Sequence, residues 1–323
     1  MTDTHRPQDD LFRHVNGAWL ATHEIPADRG RDGAFHALVD AAEKDVREII
    51  EDCAAGEVEG SGRRIGDLFA SFMDTDAIEA AGVSPLEPDL APIRRATSRE
   101  DLLRVLGELA PTGVPGLFSQ YVSNDPNNPD SYTMYVWQGG LGLPDEAYYR
   151  EEAHAATRTA YEAHIATMLV LSGIATEAES GDLAARIMAF ETALAAGHWD
   201  RVRTRDADLT NNPMDFGQWQ ALGLDLEAWR TATGRPDAFE RVANETPSFF
   251  THLAEVWTAT EVEDLRAWAM WRVVSARAPY LTEVLAQERF NFQGRTLTGA
   301  REIKERWKRG VGLVDGAFSE AVG

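Results

Sequence analysis

Apolar residues recur three or four positions apart along most of this chain, a spacing that only an α-helix gathers into one continuous stripe. Between Ala34 and Asp52 the stripe is Phe35, Leu38, Val39, Val46, Ile49 and Ile50, with Glu43, Lys44, Asp45 and Arg47 on the other side. Similar patterns predict helices over 63–73, from the capping pattern Ser98-Arg-Glu-Asp101 to Pro111, over 154–172, and from a cap at Asp182 to Gly197. Further helices are expected over 215–233, 236–244, 247–259 and 262–286, followed by a basic helix from Arg301 to Val314. One region departs from this period. Leu117 to Ser123 and Ser131 to Gln138 are rich in β-branched and aromatic residues and flank the turn-rich Asn124 to Asp130, which predicts a hairpin. The fold class is therefore mainly α with one small β-hairpin.

Thirteen Phe, nine Trp and seven Tyr within a 44% hydrophobic composition supply enough apolar surface for a sizeable core. Trp257, Trp268 and Trp271 stand among Leu253, Val256, Leu265 and Val274 at helical spacing, which marks them as core. The formal charge of −22 excludes nucleic acid or an anionic membrane as the main partner, because both demand clustered cations. Cys53 is the only cysteine, so neither an intrachain disulfide nor a cysteine-based zinc site can form. No basic start followed by an apolar run opens the sequence, and the longest apolar stretch, Ile165 to Leu171, is too short to span a bilayer. A cytoplasmic location is expected, with export by a non-classical route left open.

The usual catalytic patterns are missing. A zinc hydrolase of the common helical type places two His one turn apart with a Glu between them, so that both imidazoles meet the metal and the carboxylate activates water. The single His-Glu pair, His23-Glu24, has Ala27 where the second His belongs, and Pro26 breaks the required helix. No Gly-x-Ser-x-Gly elbow is present, and Cys53 has no His near it in sequence. The loop Gly139-Gly-Leu-Gly-Leu-Pro144 lacks the Gly-Lys-Ser/Thr of a phosphate loop. Arg201, Arg203 and Arg205 alternate with Asp200, Asp206 and Asp208, which suggests an ion-pair network that pins their loop. Carboxylates such as Glu151, Glu152, Asp206 and Asp208 read as solvated or salt-bridged faces.

The densest run of special residues is Asp10 to Phe35. Phe12 and Trp19 are apolar anchors, Asn16-Gly17 signals a turn, and Pro26 keeps Ile25 out of a helix. Arg29 and Arg31 follow in a loop with Gly30 and Gly33 beside them. Two cations on a glycine-flanked loop suit capture of a carboxylate, although the residues alone favour an ordinary solvated loop.

This run, Asp10-Leu-Phe-Arg-His-Val-Asn-Gly-Ala-Trp19 with Ile25-Pro26 and Arg31-Asp-Gly-Ala-Phe35, resembles the start of the neprilysin-type zinc metallopeptidases. The resemblance continues, in order, through Arg64 to Phe69, Gly140 to Tyr149, Glu191 to Ala195, Arg205-Asp206, Phe292 to Gly299 and Trp307 to Arg309. It is closest to the cysteine-poor bacterial members. Val15-Asn16 stands where animal members have Ala-Cys, and Asn211 where relatives commonly have Tyr.

What the resemblance implies is specific. Residues 1–35 would be an N-terminal segment with a substrate-binding loop, 36–286 a multi-helix lid domain, and 287–323 a connection toward a catalytic domain on which the terminal segments would pack. Arg31 would hold the terminal carboxylate of an oligopeptide substrate. No catalytic residue, metal ligand or cofactor is expected in this chain; zinc is expected in a catalytic half or partner subunit, without which the chain would be inactive. The alternative is a free-standing helical module that binds peptides without cleaving them.

Overall fold

Ile50, Cys53, Ile65, Phe69, Val311, Val314 and Val322 close on one another to form one of two cores. They come from the helices Ala34–Ala55, Gly62–Met73 and Arg306–Val322. The computed structural model describes residues 5–56, 58, 60 and 62–322. It divides into a unit made of the residues up to Asp74 with those from Gln293 onward, and a second unit from Thr75 to Phe292. The boundaries expected from the sequence lie after residues 35 and 286, whereas the units divide at Asp74/Thr75 and Phe292/Gln293. The helix Ala34–Ala55 belongs to the first unit because its last turns supply Ile50 and Cys53 to that core. The crossing is tight: a Cβ on Gly66 would lie 2.7 Å from the backbone of Ala54.

In the same unit Leu11–Leu20 is a single helix, with the Asp10 carboxylate accepting the Arg13 N–H at 2.9 Å as its N-cap. The expected turn at Asn16-Gly17 does not form. Gly17 does not take a positive φ, and the Asn16 amide donates to the Phe12 carbonyl one turn back at 2.9 Å. The helical period of Leu11, Phe12, Val15 and Trp19 overrides the local turn signal. The closing helix begins at Arg306, five residues later than expected.

The second unit is helical around a small sheet. Strand β1 (Phe118–Asp125) pairs antiparallel with β2 (Asn128–Gln138), in register from Phe118 opposite Gln138 to Asn124 opposite Tyr132. The expected hairpin is therefore present, but it does not stand alone. Two short strands, β3 (Pro213–Asp215) and β4 (Arg241–Asn244), extend the sheet to the order β1-β2-β4-β3. They replace part of the helices expected over 215–233 and 236–244; at three and four residues they are too short to display a period of two. Ser98 and Asp101 form the expected capping box. The helix expected from Asp182 starts at Glu177, capped by Thr176 and Glu179. The helix expected over 262–286 stops at Arg277, is crossed by a tight turn containing Pro279, and resumes as Glu283–Phe290. Trp257, Trp268 and Trp271 are fully buried, as their spacing predicts.

Candidate functional site

The loop carrying Arg29 and Arg31 is fixed from below by a segment nearly three hundred residues away. The Ala27 carbonyl accepts the N–H groups of Arg301 (2.7 Å) and Glu302 (2.9 Å), and the Arg301 guanidinium donates to the Ile25 carbonyl at 3.2 Å. Gly30 lies so close to the Thr298 carbonyl that a Cβ there would sit 1.7 Å from its oxygen. Only glycine lets the loop pass at this point. The two stretches were singled out separately in the sequence; their contact was not legible, since nothing local signals it.

Within the loop the two arginines have opposite environments. The Arg29 side chain is 12% exposed and meets three carboxylates: Asp40 at 2.7 Å, Asp28 at 3.3 Å and Asp32 at 3.4 Å. The bond to Asp40 above all raises its already high pKa. Asp32 in turn accepts the Gly33 N–H at 2.9 Å and bonds His23 Nε2 at 2.7 Å. The Gly33 N–H is the main cause holding Asp32 below the usual carboxylate range. Arg29 is thus a structural cation. Arg31, two residues on, is exposed and makes no side-chain hydrogen bond or ion pair among the described residues. Its guanidinium is available to a ligand.

In the second unit the glycine loop and Glu191 meet in a buried polar cluster. Glu191 is fully buried and accepts from Tyr149 Oη (2.6 Å), from Tyr161 Oη (3.1 Å) and from the Gly142 N–H (3.1 Å). Trp271 Nε1 donates to Tyr161 Oη at 2.9 Å, and Trp268 Nε1 to the Gly140 carbonyl at 3.2 Å. Burial raises the pKa of Glu191 and pushes both tyrosines well above their ordinary value. The N–H groups of Gly142 and Leu143 are directed at Glu191 and Tyr149, so the loop is an internal brace and no phosphate cradle. His198 donates from Nε2 to the Gly139 carbonyl at 2.9 Å, and burial lowers its pKa to about 4. The arginine loop after His198 is pinned differently from expectation. Arg201 pairs with Asp145 at 3.1 Å, Arg203 lies over the Trp199 ring at 3.7 Å, and Asp206 caps a short helix turn.

Among the described residues no three His, Cys, Asp or Glu side chains converge in a way that would hold a metal ion, so these residues do not fit a zinc site. None of the described helices is long and apolar enough to cross a membrane.

The chain spans about half the length of the proteins it matches. It is 25% identical to the neutral endopeptidase of Lactobacillus helveticus over 98% of this chain and 50% of that protein. It is 26% identical to the endothelin-converting enzyme-like 1 of Rattus norvegicus over 85% of this chain and 38% of that one. Among solved structures, the zinc metalloprotease ZMP1 of Mycobacterium tuberculosis in complex with an inhibitor superimposes with a TM-score of 0.95 at 46% identity, covering 99% of this chain and 50% of that one. The model of the N-terminal part of peptidase family M13 matches residues 7–323. The chain belongs to peptidase family M13, whose members here are neprilysin-like, and it corresponds to their N-terminal half.

Proposed function

We propose that this chain is the substrate-enclosing, non-catalytic portion of a neprilysin-like zinc endopeptidase. In this reading Arg31 holds the terminal carboxylate of an oligopeptide, and a zinc-bearing half, on the same or a separate polypeptide, hydrolyses the bond. The observation that carries the reading is the contrast on one loop: Arg29 is saturated by three carboxylates while Arg31, exposed, has none. A guanidinium left free beside a neutralised one suits bidentate recognition of a carboxylate. The exposed apolar residues of the helices Leu11–Leu20 and Ala34–Ala55 support a docking face for the other half.

The test combines the chain with a zinc-loaded catalytic half from the same source and compares cleavage of a peptide as the free acid and as the C-terminal amide. Arg31→Ala is expected to raise KM for the free acid by about tenfold and to leave the amide unchanged, the size of one lost charge-assisted hydrogen bond. Gly30→Ala should produce the same selectivity loss, because its Cβ forces the loop off Thr298. Equal effects of Arg31→Ala on acid and amide would overturn the role of Arg31. Peptide binding by the chain alone, with no cleavage in any combination, would favour a free-standing binding module.

A further inference from the structure

Beside the sheet, the unit from Thr75 to Phe292 contains a cavity of about 520 Å³ whose walls include Gly116, Phe118, Trp137, Trp199, Arg201 and Arg272. Arg272 is 8% exposed. Its Nε donates to the Pro115 carbonyl at 3.2 Å and its Nη1 to the Leu141 carbonyl at 2.9 Å. Yet no carboxylate among the described residues reaches ion-pairing distance of it. Arg29, by contrast, has its three aspartates, and Arg277 has Asp89 at 2.9 Å. Glu191 feels the Arg272 charge, but its oxygens are taken by Tyr149, Tyr161 and Gly142.

A buried cation without a contact anion is costly unless something supplies one. The cavity wall carries two arginines and a single acidic residue, Asp145, which is held by Arg201 at 3.1 Å. A positive wall in a protein of charge −22 is a local exception, and the volume lies in the range of small-molecule sites, roughly 300–1,000 Å³. Phe118, Trp137 and Trp199 add aromatic surface.

We propose that this cavity binds a small carboxylate-bearing molecule of about dipeptide size, its carboxylate received by Arg272 and its apolar group lying against Phe118 and Trp137. The site uses no residue of the Arg31 loop and needs no zinc-bearing half, so it stands or falls apart from the function proposed above.

Titration of the full chain with glycylphenylalanine and with its C-terminal amide, by calorimetry, tests it. The acid is expected to bind, and the amide to bind at least about tenfold more weakly, the loss of a charge-assisted bond. Arg272→Gln should remove that preference. Gly116→Leu provides the control against misfolding, because a Cβ there meets no atom within 4 Å, its φ lies outside the left-handed region and the residue lines the cavity; it should block binding and leave the thermal midpoint unchanged. Arg31→Ala should have no effect. Equal binding of acid and amide, binding that survives Gly116→Leu, binding lost in Arg31→Ala, or no binding of the acid would each overturn the proposal.

Discussion

The two units of this chain bury their aromatic and aliphatic side chains to very different extents. Between Thr75 and Phe292, Trp219, Trp268, Trp271, Tyr161, Phe249 and Phe250 are all fully enclosed. In the unit formed by the chain ends, the helix Leu11–Leu20 buries no residue, and the 22-residue helix Ala34–Ala55 buries only Ile50 and Cys53. Phe35 is 82% exposed, and Phe12 and Leu38 are each 66% exposed. Both regions carry the same helical spacing of apolar residues. The period says that a helix has an apolar face; it does not say what covers that face. Both units close a core, but the chain-end unit also presents an uncovered stripe of the kind that marks an interaction surface.

The largest test of this contrast is Trp271→Ala. It removes a fully buried indole and its bond to Tyr161, and is expected to cost about 3–5 kcal/mol, read as a lower urea midpoint. A loss below about 1 kcal/mol would show that the aromatic core is not what holds this unit together.

Much of the fold was legible because helices announce themselves locally. The Ser98 and Asp101 capping box and the core tryptophans follow from spacing and cap chemistry alone. Where two local signals conflicted, the longer one won: one Asn-Gly pair could not interrupt ten residues of helical period. At Pro279 the missing N–H had the last word. The short strands β3 and β4 were hidden because three or four residues show no alternation, and pairing with β2 is what makes them strands. The candidate site was legible to the residue, not to its support. Arg31 could be singled out from the resemblance, but the saturation of Arg29 by Asp40 and the closeness of Gly30 to Thr298 depend on contacts that only folding creates.

A smaller effect is expected at Glu191, where the enclosed unit buries charge as well as rings. Its folded pKa is raised above the ordinary 4.5, so the native state binds the proton more tightly than the unfolded chain. Its contribution to stability is therefore fully present below 4.5 and declines as pH rises toward the folded pKa. Glu191→Gln turns an amide donor toward groups that already donate, at a cost of about 1–3 kcal/mol. It also removes the titration, so the wild-type advantage should shrink as urea midpoints are followed upward from about pH 4. An advantage that grows with pH would mean that the cluster favours the carboxylate, and the sign of the argument would reverse.

The smallest effect on stability, and the sharpest on the comparison, belongs to Phe12→Gln combined with Leu38→Gln. Both side chains already face water and both substitutions keep a good helix former, so the isolated chain should change by no more than about 0.5 kcal/mol in thermal or urea unfolding. Association with a zinc-bearing half should nevertheless weaken by about tenfold or more, because burying two amides without partners replaces burial of two apolar groups. The two readouts must separate for the uncovered stripe to be a docking face. If the double variant unfolds as readily as Trp271→Ala, those side chains already support the chain's own fold; if association is unaffected, the stripe lies outside the interface.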